Sequence, residues 1–128
     1  MLEYKSRQTG DVTVIDLKGA ITLSEALTGE KEGAGARPVV LVGEIVRQLL
    51  QQGRLKIMLN LQEVSYIDSS GIGELVGVFT SVQRHGGQLK LLNPVPKVVN
   101  VLRLTRLDRL FPVETDEAAA IQSFVLPG

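Results

Sequence analysis

The chain predicts an α/β fold built on a mixed, mostly parallel sheet. Two strand-like runs at its start flank the turn Thr9-Gly10-Asp11, which is a hairpin signal. Beyond them, segments of helical period alternate with short apolar runs, giving the order strand, strand, helix, strand, helix, strand, helix, strand, helix. The 128 residues are expected as one domain, 1–128, because a chain of that size buries roughly two thirds of its unfolded surface around a single core.

Residues 2–7, Leu-Glu-Tyr-Lys-Ser-Arg, start with apolar and polar side chains in alternation, as a half-buried strand does. Val12-Thr13-Val14-Ile15-Asp16-Leu17 is the returning strand, and Gly19 marks a bulge or bend before the apolar pieces Ile21 and Leu23. Residues 28–37 are glycine and charge with little apolar content, and read as a mobile inserted loop. Pro38 suits the first turn of a helix whose apolar side is Val42, Ile45, Val46 and Leu49, and Gly53 stands where a left-handed C-terminal cap belongs. Residues 55–61 are apolar at 57, 58, 59 and 61, the pattern of a central strand covered on both faces.

Ile72, Leu75, Val76, Phe79 and Val82 follow at helical spacing, one apolar stripe that ends at Arg84-His85-Gly86-Gly87. Residues 88–92 form a further strand, and Asn93-Pro94-Val95-Pro96 opens a helix carrying Val98, Val99, Val101, Leu102 and Leu104. Phe111-Pro112-Val113-Glu114 reads as a short strand whose proline places it at an edge. Thr115 or Asp116 caps a last helix that runs to Phe124.

Composition narrows the function classes. Fourteen basic residues balance fourteen acidic ones, so no dominant field draws in nucleic acid or anionic lipid. Aromatic residues make up 4% and tryptophan is absent, which argues against a stacking platform for single strands. The lack of cysteine excludes disulfides and thiolate metal sites and permits a reducing compartment. The first twenty residues contain neither a signal-peptide core nor a membrane span, so a cytoplasmic protein is expected. Arg103, Arg106 and Arg109 recur every three residues and read as a solvated basic face.

The informative stretch is Asp68-Ser69-Ser70-Gly71-Ile72-Gly73, where a strand hands over to a helix. Unpaired N–H groups and the helix dipole make such a turn receptive to an anion or to a phosphate formed on a serine. The other reading is an ordinary N-cap cluster, since Asp and Ser are both preferred there. Gly71, Gly73 and Gly77 disfavour helix and would leave its surface flat for a partner. Close helix–sheet packing is the alternative for them, more for Gly73 and Gly77 than for Gly71.

Hydrolytic chemistry finds no support. The pattern Gly-x-Ser-x-Gly is absent, and the only histidine, His85, lies sixteen positions along the same helix from Ser69. At ~1.5 Å per residue that is far outside hydrogen-bonding reach. No phosphate-binding Gly-x-x-x-x-Gly-Lys-Ser/Thr loop occurs either.

The hairpin, the run Lys18-Gly19-Ala20-Ile21, the turn Asp68-Ser69-Ser70-Gly71-Ile72-Gly73 and the ending 87–113 together resemble STAS domains of bacterial anti-sigma-factor antagonists. The resemblance spans nearly the whole chain. It implies four or five strands with about four helices packed mainly on one face, no catalysis by this chain and no cofactor of its own. It also implies that Ser69, directly after the aspartate, is phosphorylated by an anti-sigma-factor serine kinase, which holds the ATP, and is restored by a phosphoserine phosphatase. Asp68, Ser70, Gly71, Gly73 and Thr22 would complete the switch and partner-binding surface; Thr22 stands where the family often carries an acidic residue. Two further readings stand beside this one: a STAS subunit that is never phosphorylated and acts as a scaffold or transporter regulator, and a domain that binds a nucleotide or anion at residues 69–71.

Overall fold

A computed structural model describes residues 2–22 and 42–125. The expected loop 28–37, Leu23 and Pro38 lie outside the described residues. Strands β1 (Glu3–Thr9) and β2 (Val12–Ile21) form the hairpin, in register from Glu3–Lys18 to Thr9–Val12. Helix α1 (Val42–Gln51), strand β3 (Lys56–Ile67), helix α2 (Ser69–Arg84), strand β4 (Gln88–Leu92) and helix α3 (Pro96–Leu104) follow. A 3₁₀ turn (Leu107–Arg109), strand β5 (Val113–Glu114) and helix α4 (Glu117–Val125) come next among the described residues. The sheet runs β1-β2-β3-β4-β5; only β1 is antiparallel to its neighbour. The predicted mixed, mostly parallel sheet is therefore present, with one antiparallel edge strand.

The two faces are covered unequally. Ile15, Leu17, Ile57, Leu59, Leu61, Leu89 and Leu91 pack with α1, α2 and α3 in the larger core, whereas Val12, Val14, Met58 and Leu92 meet Ala120, Ile121 and Phe124 of α4. Strand β3 is central and apolar toward both sides, as its sequence indicates. Helix α1 ends on a left-handed Gly53 (φ 79°), with the Arg54 N–H donating to Leu49 O and the Gly53 N–H to Leu50 O. Those two bonds satisfy carbonyls that the helix end would otherwise orphan.

Several expectations change. Strand β1 is almost wholly exposed instead of half-buried, and it is the outer strand of the sheet. Strand β3 continues past Leu61 to Ile67; β2 continues through two register shifts around Gly19 and supplies Lys18 to Ile21 as partners. The buried line of α2 is Leu75, Val78 and Val82, leaving Val76 outward. Leu104 is 83% exposed at the end of α3 instead of joining its apolar side. Phe111 leaves the predicted strand for the core, so β5 begins at Val113.

Helix α4 is held to the sheet by Arg7. Its guanidinium pairs with Asp16 (Nε–Oδ2 2.7 Å) and Glu117 (Nη2–Oε1 2.7 Å), and Asn60 donates to Asp16 at 2.7 Å. The hydrogen bonds from Arg7 hold both carboxyls below their usual range. A carboxylate with a depressed folded pKa stabilises above its unfolded value and loses that contribution as the pH falls through the folded one. These side chains are about one-third exposed, so Arg7→Ala is expected to cost only about 1 kcal/mol near pH 7. The gap to the parent should close as the pH drops below about 4, the ordinary carboxylate range. Urea midpoints across pH check this; a constant gap down to acid pH would remove the network from the stability account.

Candidate functional site

The register sets Ile21 opposite Ile67, so β2 and β3 end together and bring Thr22 and Asp68 to the same end of the sheet. Asp68 is the N-cap of α2, in extended backbone (φ −108°, ψ −173°), and its Oδ1 accepts the Gly71 N–H at 2.9 Å. The Ser70 hydroxyl donates to the same oxygen at 2.6 Å. That hydroxyl bond first, then the backbone N–H of Gly71, holds the Asp68 carboxyl below its usual range. The aspartate is thus ionised at neutral pH and occupies the positive end of the helix.

The three polar residues of the turn divide their tasks. Asp68 caps, Ser70 is turned back onto Asp68, and Ser69, the first helical residue, is exposed. Among the described residues the Ser69 side chain has no hydrogen-bond partner. Thr22 is half-buried beside the end of β2. His85 caps the opposite end of α2, its Nδ1 2.8 Å from Ser81 O, and cannot serve Ser69 as a base.

The glycines reverse their expected order. A Cβ on Gly71 would stand 1.9 Å from the Ile21 carbonyl oxygen and 2.9 Å from the Ile67 Cγ1, so this is the position of close approach. A Cβ on Gly73 or Gly77 would meet nothing within 4 Å. Both face outward, and they share a stripe with Ser69, Val76 and Thr80, all exposed. At offsets of four, seven, eight and eleven from Ser69, these residues form one flat helix face.

Sequence reasoning missed Val76 as part of that surface. The spacing of Ser69, Gly73, Gly77 and Thr80 carries the signal, because small and polar residues mark the solvent side. Tyr66 was also missed. It is 44% exposed near the end of β3, with the Lys97 ammonium 5.5 Å from its ring centroid. Among the described residues no helix is long and apolar enough to cross a membrane.

Known proteins resemble this chain in sequence and in fold. The anti-sigma-B factor antagonist of Bacillus subtilis is 32% identical over 74 residues, covering 58% of this chain and 67% of that protein. Matches to three such relatives span 58%, 67% and 66% of their own lengths. The crystal structure of a Thermotoga maritima protein described as a candidate anti-sigma factor antagonist superposes with a TM-score of 0.77 at 25% identity, covering 96% of this chain and 95% of that one. The Bacillus cell fate determinant SpoIIAA in its phosphorylated form shares the fold, with a TM-score of 0.65 at 22% identity over 94% of this chain and 98% of that one. With the STAS domain family model matching residues 4–120, the chain belongs to the STAS domain family.

Proposed function

We propose that this protein is a cytoplasmic, non-catalytic anti-sigma factor antagonist whose α2 face binds an anti-sigma-factor serine kinase while Ser69 is unphosphorylated. The observation that carries the reading is the exposed Ser69 hydroxyl at the first position of α2, in line with the flat face Gly73, Val76, Gly77 and Thr80. The names of the relatives support the same role. ATP belongs to the kinase; this chain supplies the acceptor hydroxyl, and a phosphoserine phosphatase reverses the modification. Sequestering the kinase frees the sigma factor it would otherwise hold.

A phosphate on Ser69 brings nearly two negative charges. The helix dipole receives them, so the fold need not change. Beside the ionised Asp68 and inside a contact, the same charges add repulsion and a desolvation cost. A loss of ~3 kcal/mol weakens binding by more than a hundredfold.

The test pairs the anti-sigma-factor kinase of the native host with this protein and ATP. Mass analysis should find one phosphate at Ser69, lost in Ser69→Ala and kept in Ser70→Ala. Calorimetry should show Ser69→Asp binding the kinase at least a hundredfold more weakly than the parent. Phosphate on Ser70 would overturn the assignment of the site, and unaltered kinase binding by Ser69→Asp would favour a scaffold that is never switched.

A further inference from the structure

We propose that the cleft between α3 and β5 is a second docking surface, taking an extended acidic segment of a partner protein that seats one apolar side chain. It shares no residue with the Ser69 face and does not depend on that reading. The cleft measures about 360 Å³ and is lined by Leu102, Arg103, Asp108, Arg109, Leu110 and Val113 among others. Leu102 is buried in its floor, whereas Leu110 and Val113 are each 39% exposed. Exposed apolar side chains gathered around a concavity mark interaction sites more often than scattered ones do.

The main chain is open here as well. Strand β5 ends the sheet order, so one of its sides has no neighbouring strand. Leu91 N–H donates to Pro112 O and Asn93 N–H to Glu114 O, each at 2.9 Å. Backbone groups alternate sides along a strand, so the N–H and carbonyl of Val113 point away from β4, toward the open edge. An added strand would find there one donor and one acceptor next to an apolar cleft, which is how sheet edges bind extended peptides.

Charge selects the partner. Arg103, Arg106 and Arg109 are all exposed, and none takes part in an ion pair among the described residues. Arg106 adopts the left-handed conformation (φ 62°) where the chain leaves α3 for the 3₁₀ turn, and Arg103 and Arg109 both line the cleft. Asp108 is the one carboxylate in the lining, against the two guanidinium groups of Arg103 and Arg109, and Arg106 lies outside it. The lining is therefore net cationic, although the chain as a whole is neutral. A second copy docked through the same cleft would bring a second set of the same cations into one interface. A nucleic-acid strand would need an aromatic platform, and the exposed rings, Tyr4 and Tyr66, are not in the cleft.

The experiment titrates the full ¹⁵N-labelled chain with three eight-residue peptides: alternating Leu-Glu, alternating Leu-Lys and alternating Ser-Glu. Saturable amide shifts centred on Arg109, Leu110 and Val113 are expected with Leu-Glu alone. The double substitution Arg103→Glu, Arg109→Glu touches exposed side chains and should retain the parent spectrum. It should weaken the Leu-Glu peptide by about tenfold or more and gain binding of Leu-Lys, as complementary charge requires. Equal response to all three peptides, no saturation, or shifts mapping elsewhere would overturn the proposal. The same holds if the cleft amides shift with protein concentration alone, or saturate with an oligothymidylate in preference to the Leu-Glu peptide.

Discussion

Gly71→Ala is expected to destabilise the protein by ~3 kcal/mol or more, the upper end of what overpacking costs. The added methyl would stand 1.9 Å from the Ile21 carbonyl oxygen and 2.8 Å from its carbon. Both are main-chain atoms at the end of β2, where Ile21 pairs with Ile67, so no rotamer change relieves the contact. Either the first turn of α2 lifts off the sheet or the β2–β3 ladder opens. Helix propensity acts in the opposite direction and is too small, since replacing glycine by alanine gains at most ~1 kcal/mol.

The neighbouring glycines supply the control. Gly73→Ala and Gly77→Ala put their methyl groups into open space, and each should raise stability by up to ~1 kcal/mol. Urea unfolding with unchanged slope separates the three variants. Should Gly71→Ala prove as stable as Gly73→Ala, the close packing of α2 on β2 does not hold. The consequence for function is positional: Gly71 fixes the turn that presents Ser69, and the flat stripe beyond it is built from glycines that the fold itself does not require.

Phe111→Ala should cost ~3–5 kcal/mol, as removal of a fully buried aromatic side chain does. Phe111 is 1% exposed and meets the Phe79 ring edge-on, with centroids 5.3 Å apart and planes at 83°. It joins α2 to the segment that returns from α3, and its N–H donates to Leu107 O at 3.0 Å. Phe111→Leu retains most of the buried volume and should lose under half as much. A double-mutant cycle with Phe79→Leu isolates the ring pair, for which ~0.5–1.5 kcal/mol is expected beyond burial. A loss below ~1 kcal/mol in Phe111→Ala would mean that this end of the core is loosely packed.

Order and type of the elements were legible because each depends on neighbours in sequence. The period of Val42, Ile45 and Val46, the apolar run 57–59, the Gly53 cap and the Asp68 N-cap all act within a turn or two of chain. The points that failed depend on contacts far apart in sequence. Strand β1 carries an alternation at its start that resembles a buried strand, yet burial is decided by its place in the sheet, and it is the outer strand. Val76 and Val78 are equally apolar, and only the orientation of α2 on the sheet selects Val78 for the core. Leu104 and Phe111 exchange their expected environments for a similar reason: the chain turns at Arg106, and Phe111 is the side chain that reaches Phe79.

Local sequence thus determined which residues form strands and helices, and it located the serine turn, since capping and periodicity are short-range effects. The packing of α2 against β2 decided what that turn presents. It pinned Gly71 to Ile21, turned Ser70 back onto Asp68 and left Ser69 in solvent at the head of an open helix face. Such choices rest on separations of a few ångströms between residues dozens of positions apart, and only the assembled fold sets those distances.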